Sequence, residues 1–258
     1  MKILVCVKQV PDLEGTFRIN SQGTGYDDSG VVFRMNAYDE YAVEEAIQIK
    51  ERLGTVEVTA LSVGPPRAEH VVRRALEFGI DHGVHSMVPD GYRLDALQTA
   101  SLIASYARDR SFDLLLFGIM SEDCERCQTG PMVAALLHMP CATIVAAETI
   151  SDDRAYVMVE RELEGRRRQV LQLPLPAVLT IQSGINRPRY PSLSNKLRAR
   201  KQPLEPISYS DLSTQPQCED LVRAYLPPHA RAGIFIEGTV EEQAERLVQI
   251  IHQKSDVL

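Results

Sequence analysis

The chain has 258 residues and a net charge of −7, with 44% hydrophobic and 24% charged residues. These values suit a soluble globular chain long enough to bury one full α/β core, and the acidic balance argues against a general nucleic-acid binder. The longest apolar stretch, Met132 to Ala147, is interrupted by His138 and Pro140, so no direct membrane insertion is expected. Met1-Lys2 leads straight into ILVCV without an apolar signal region, and five cysteines, an odd number, suit reduced thiols. A cytoplasmic location is the expectation.

In chain order, Lys2 to Lys8 is a continuous apolar run, the pattern of a strand buried on both faces. Gln9 to Gly30 is polar and glycine-rich and reads as a hairpin excursion. Asn36 and Asp39 then have the spacing of a capping box, opening a helix that Gly54 ends. Val56 to Gly64 is a second strand, Arg67 to Phe78 a helix, Gly83 to Val88 a short strand and Leu94 to Arg108 an alanine-rich helix. Asp113 to Gly118 is another strand. After the polar loop IMSEDCERC comes an apolar run at helical spacing, with Thr129 as candidate N-cap and Pro131 in the first turn. Cys141 to Ala147 continues as strand, Tyr156–Glu162 and Arg168–Leu173 as a hairpin around Glu164-Gly165, and Ala177 to Ile181 as a last buried strand.

Strands alternating with helices imply an α/β fold with a doubly wound, mostly parallel sheet, whose ligands sit beyond the carboxyl ends of the strands. The turns after Cys6, Val63 and Gly118, and the helix start at Asn36, lie on that edge. The loop from Gly118 to Gly130 ends at a helix start with free backbone N–H groups, a geometry that binds phosphate. Residues 184–206 change character: rich in proline, serine and arginine, with Arg187, Arg189, Lys196, Arg198, Arg200 and Lys201 and no acid between Arg187 and Lys201. This segment reads as an irregular arm or linker. GIFIEG and a helix from Thr239 to about His252 follow.

No G-x-x-x-x-G-K-[ST], G-x-G-x-x-G or G-x-S-x-G occurs, and the six histidines show no metal-type spacing, so neither catalytic machinery nor a metal site is expected. Cys124-Glu125-Arg126-Cys127 is a lone CxxC: half a zinc site, a redox pair, or two small residues in a ligand loop. The basic run is either a solvated face or a docking arm for an acidic partner, with Leu193 at its centre.

Four stretches, MKILVCVKQVPD, NAYDEYAVEEAIQIKE, SEDCERCQTGPMVAALL and GINRPRYPSLSNKLRARKQPL, resemble the β subunit of electron transfer flavoprotein, in order over roughly residues 1 to 207. The resemblance implies a sheet of the adenine-nucleotide α-hydrolase-like kind with an added β-hairpin and an extended C-terminal arm. It divides the chain into a nucleotide-binding domain (1–183), a partner-recognition arm (184–207) and a C-terminal extension with a terminal helix (208–258). It implies a heterodimer in which an α subunit holds FAD and this chain binds AMP. By the resemblance, Cys6, Asn36, Ala37, Tyr38, Asp39, Val63, Gly118, Asp123, Cys124, Glu125, Arg126, Cys127, Gln128, Thr129 and Gly130 line the nucleotide, with Tyr38 toward the partner's flavin. Leu193 corresponds to the family's recognition-loop leucine, which enters a pocket on acyl-CoA dehydrogenase-type partners, with Arg189, Lys196 and Arg198 as surrounding cations. An electron carrier rather than an enzyme is implied. The alternatives are an electron-bifurcating β subunit with its own FAD accepting hydride from NADH, and a stress-type nucleotide-binding protein without a redox partner.

Overall fold

A computed structural model describes residues 1–227, 233 and 235–254. Strand β1 (Lys2–Cys6) opens the chain. The excursion after it is closed by β2 (Gln9–Pro11) pairing antiparallel with β3 (Phe33–Met35), a small sheet of its own. Helix α1 (Ala37–Leu53), β4 (Glu57–Gly64), α2 (Glu69–Glu77), β5 (His82–Met87), α3 (Ala96–Arg108), β6 (Leu114–Gly118) and α4 (Thr129–Leu137) then alternate. They are followed by β7 (Cys141–Ile150), β8 (Tyr156–Leu163), β9 (Arg167–Pro174), β10 (Ala177–Ile181), α5 (Leu193–Lys201), β11 (Glu205–Ser208) and α6 (Val240–Lys254).

The main sheet has nine strands in the order β11-β5-β4-β1-β6-β10-β7-β8-β9. It is parallel from β11 to β7, and the β7-β8-β9 edge is antiparallel. The parity of each strand sorts its side chains between two cores. Ile3 and Val5 of β1, with Leu114 and Leu116 of β6, pack under α1 and α2. Leu4 and Cys6, with Leu115 and Phe117, pack under α3 and α4. Burial on both faces is why these strands read as unbroken apolar runs rather than alternating ones. The chain runs outward from β1 through β4 to β5, then returns to β6 on the other side of β1. The switch point therefore opens above the carboxyl ends of β1, β4 and β6.

The arm differs from the irregular reading. Residues 193–201 are helical, started by Ser192, whose hydroxyl accepts the Asn195 N–H at 3.2 Å. Ala199 is buried, and the Arg198 guanidinium donates to the Leu76 and Ile80 carbonyls at 3.2 and 3.3 Å. Those carbonyls flank the end of α2, so Arg198 satisfies acceptors that helix termini leave open. A helix with almost no apolar face is thus held by a neighbour's polar end. After it, β11 adds to the open edge of β5.

Beyond β11 the chain runs along the outside of α3 toward the carboxyl edge of the sheet. Ser213 N–H donates to Ser105 Oγ at 3.0 Å, Cys218 N–H to Asp95 Oδ2 at 2.6 Å, and Ala224 N–H to Gly23 O at 2.8 Å. Helix α6 starts with a reciprocal cap: Thr239 Oγ1 accepts the Glu242 N–H at 3.3 Å, and the Glu242 carboxylate accepts the Thr239 N–H at 2.8 Å. Its apolar face carries Leu247, Val248 and Ile251, all exposed. Residues 228–232, 234 and 255–258 of the extension, including Ile234 of GIFIEG, lie outside the described residues.

Candidate functional site

The residues after β1, β3 and β6, and the first residues of α1, converge at the switch point, and polar side chains tie them together. Asp39 is 6% exposed; one carboxylate oxygen accepts the Lys8 N–H at 2.7 Å and the other the Gly118 N–H at 3.1 Å. One carboxylate thereby joins the ends of β1 and β6. Gly118 is required there, because a Cβ would stand 2.8 Å from Tyr38 Cβ and collide with the Asp39 carboxylate. Burial pushes the Asp39 carboxyl up to about 7, against the opposing pull of these amides, Asn36 and the Lys8 ammonium.

Asn36 and Asp39 do not form the capping box that their spacing suggests. Asn36 makes no side-chain cap to α1. Its amide instead donates to Met120 O at 2.8 Å and its carbonyl accepts the Glu122 N–H at 3.0 Å, 86 residues away. Glu122 returns the connection, accepting the Ala37 N–H at 3.0 Å and an Arg34 N–H at 2.9 Å. Long-range partners have displaced the local ones. The reciprocal capping box at this level of the chain belongs to Asp95 and Gln98 at the start of α3, a D-x-x-Q that the sequence reading passed over.

Lys8 completes the attachment of the loop. Its ammonium donates to both Asp123 oxygens, at 2.7 and 2.8 Å, and to Ser121 Oγ at 3.1 Å. Burial acts to raise the Asp123 carboxyl, but the Lys8 charge and the Ser121 hydroxyl outweigh it, so the group sits below the ordinary carboxylate value. Neither Lys8, Ser121 nor Glu122 was singled out from sequence. The available signal was a lysine directly after a buried strand, on the ligand edge of the sheet.

With the loop fixed in this way, α4 begins at Thr129, so Thr129 is its first residue and not its cap; Gln128 holds the N-cap position without a side-chain bond. Among the described residues, the Thr129 and Gly130 N–H groups have no hydrogen-bond partner, and Gln128 Oε1 is buried and takes no donor. Gly130 brings this helix start onto the sheet: a Cβ would lie 2.7 Å from Thr180 Cγ2 of β10. Free donors at a helix start, beside an unfilled buried acceptor, suit a ligand with an anionic group and an N–H donor, as an adenine nucleotide has.

The other residues singled out are distributed as follows. Cys6 is buried and packs in the α3–α4 core, and burial, with the Asp39 charge, pushes its thiol up. Val63 lies at the end of β4 and packs with the α3–α4 core. Glu125 and Cys127 are exposed with left-handed backbone, φ 52° and 54°. Arg126 forms an ion pair with Glu219 of the tail. In the arm, Arg189 is engaged with α1: its guanidinium holds Glu44 at 2.9 Å and Glu51 at 2.5 Å. Leu193 is 73% exposed and Tyr190 97% exposed. Lys196 is exposed as well. A separate cavity of about 640 Å³ lies at the opposite, amino edge of the sheet. Within it His82 lies 2.8 Å from Glu57, and Arg110 3.6 Å from Glu205.

A mostly parallel sheet with helices on both faces, and a stapled loop feeding a helix N-terminus at its switch point, defines a doubly wound α/β protein. Residues 24–212 match the electron transfer flavoprotein domain. The chain is 35% identical over 261 residues to electron transfer flavoprotein subunit beta of Methylophilus methylotrophus, covering 98% of each chain. It is 36% identical over 253 residues to the human subunit beta, covering 97% of this chain and 98% of the relative. The Bacillus subtilis subunit beta is 35% identical over 265 residues, with both chains covered completely. The chain belongs to the electron transfer flavoprotein β-subunit family.

Proposed function

We propose that this chain is the β subunit of a heterodimeric electron transfer flavoprotein, binding AMP at the carboxyl edge of its sheet and docking an acyl-CoA dehydrogenase-type partner through its arm. The observation that carries the AMP site is the helix start at Thr129 and Gly130, held on the crevice by Lys8, Asn36 and Asp39 with its N–H groups free. These donors take the phosphate, Gln128 Oε1 accepts from the ligand, and residues near Cys6 and Val63 flank the adenine through backbone and apolar contact.

The α subunit's FAD supplies the redox chemistry of the assembly. In that electron transfer this chain makes and breaks no bond of a substrate; it provides a rigid base and a docking element. Leu193 and Lys196 make the partner contact, while Arg189 and Arg198 fix the arm to α1 and α2. An exposed apolar residue on an arm anchored at both ends enters a partner's pocket with little ordering cost. No helix among the described residues is long and apolar enough to cross a membrane.

The test is to express the chain with its flavoprotein partner, denature the complex and quantify the released nucleotides. One FAD and one AMP per heterodimer is the expected result. Two FAD and no AMP would overturn it in favour of a bifurcating subunit. Failure to co-purify with any flavoprotein would instead favour a nucleotide-binding protein without a redox partner.

A further inference from the structure

The five thiols of this chain divide by surroundings. Burial pushes the thiols of Cys6 and Cys141 up, and both are enclosed or half-enclosed by core. Cys124, Cys127 and Cys218 are free and exposed. The first two flank Arg126 on the loop that leads into α4. The third is held at the N-terminal end of α3 by its N–H bond to Asp95, next to Glu219, which pairs with Arg126.

The loop that carries the two thiols is curled. Ser121 O accepts the Glu125 N–H at 2.8 Å and the Cys124 N–H at 3.3 Å, closing a turn. Glu125 and Cys127 then take left-handed φ of 52° and 54°, so the segment curls instead of running extended. Lys8 Nζ, already paired with Asp123, also lies 3.9 Å from Cys124 Sγ, the sulfur placed to attack a disulfide. Among the described residues no three His, Cys, Asp or Glu side chains converge as a metal set, which separates this pair from half of a zinc site.

We propose that Cys124 and Cys127 form a reversible thiol–disulfide site that exchanges with a low-molecular-weight disulfide, and that its oxidised form holds the nucleotide less tightly. The second half rests on the AMP site described above. Cys124 gives up its proton and attacks one sulfur of the small disulfide; the S–S bond breaks, and the departing thiolate takes up a proton. Cys127 then attacks the Cys124 sulfur of the mixed disulfide, forming the Cys124–Cys127 bond and releasing the second small thiol. The protein loses two electrons and two protons, and the small disulfide gains them. A dithiol reverses the sequence. Closing the bond brings the two sulfurs to about 2 Å, which draws Cys124 from Lys8 and tightens the chain immediately ahead of Gln128 and Thr129.

The heterodimer is treated with oxidised glutathione, alkylated, and digested for mass spectrometry. The expected product is a peptide spanning Cys124 and Cys127 lighter by two hydrogens and carrying no adduct. Cys127→Ser leaves a glutathione adduct on Cys124, and Cys218→Ser leaves the loss of hydrogens intact. Adducts alone on the unaltered chain, or a bond to Cys218, overturn the site. In a second arm, AMP affinity is measured before and after oxidation. Oxidation is expected to weaken binding about tenfold, reversibly with dithiothreitol, and not in Cys124→Ser. An unchanged affinity overturns the second half of the proposal. No AMP binding by the reduced heterodimer overturns the nucleotide reading and the affinity claim with it, while the mass result judges the disulfide separately.

Discussion

The loop from Gly118 to Gly130 and the arm from Gly184 to Gln202 are both polar, irregular-looking stretches, yet the structure uses them in opposite ways. In the loop, Asp123, Glu122, Ser121 and the Asn36 that reaches across to it are consumed by internal bonds, and what remains for a ligand is largely backbone. In the arm, polar groups hold the ends, through Asn186 to Glu45 at 2.8 Å and Arg198 to the end of α2, and leave Tyr190 and Leu193 exposed. The loop is built to present main-chain donors and the arm to present side chains. Substitutions should therefore damage the loop through its supports and the arm through its tip.

The largest effect is expected at Asp39. Asp39→Ala leaves the Lys8 and Gly118 N–H groups without an acceptor in a buried place, at about 1–3 kcal/mol each. A loss of about 3 kcal/mol in a denaturant titration, with AMP missing from the purified complex, is the expected outcome. Retention of both stability and nucleotide would place the support of the loop elsewhere. Leu193→Ala is expected to slow electron transfer to an acyl-CoA dehydrogenase about tenfold while heterodimer and nucleotide content stay unchanged. Steady-state reduction assays decide this, and an unchanged rate would remove the arm from docking.

A smaller effect concerns the root of the arm. Glu45 is 5% exposed, accepts from Asn186, and lies against Glu148, which pairs with Arg52. Burial pushes the Glu45 carboxyl up to about 7 from an ordinary value of 4.5, so the folded chain holds an extra proton between those limits. Its contribution to stability is full below about pH 4.5 and is lost as pH rises through 7. Glu45→Gln removes this slope. Unfolding free energy of the unaltered chain is expected to fall between pH 5 and 7.5 by on the order of 1 kcal/mol more than that of the variant. Parallel curves would mean that the proton resides on another group.

The sheet was legible because buried parallel strands such as ILVCV and LLLF are apolar on both faces, and glycines mark the helix ends at Gly54 and Gly79. That Cys6, Val63 and Gly118 stand at strand ends on the carboxyl edge of the sheet was legible from the apolar runs. The mutual roles of the residues at that edge were not. Asn36 and Asp39 have ideal local spacing for a cap, and only the arrival of Met120 and Glu122 in space redirects Asn36. The helix in SLSNKLRARK was hidden for a related reason, since Arg198 and Ala199 find their partners on α2, more than a hundred residues earlier. The same applies to the Arg126–Glu219 pair, which joins the loop to a tail with no motif of its own.

The central claim is that the free N–H groups at Thr129 and Gly130 recognise a nucleotide's phosphate. It is tested most directly by refolding the denatured heterodimer in an equimolar mixture of AMP and adenosine and measuring which is retained. The account predicts that AMP is retained and adenosine is not. Equal retention of the two would contradict it.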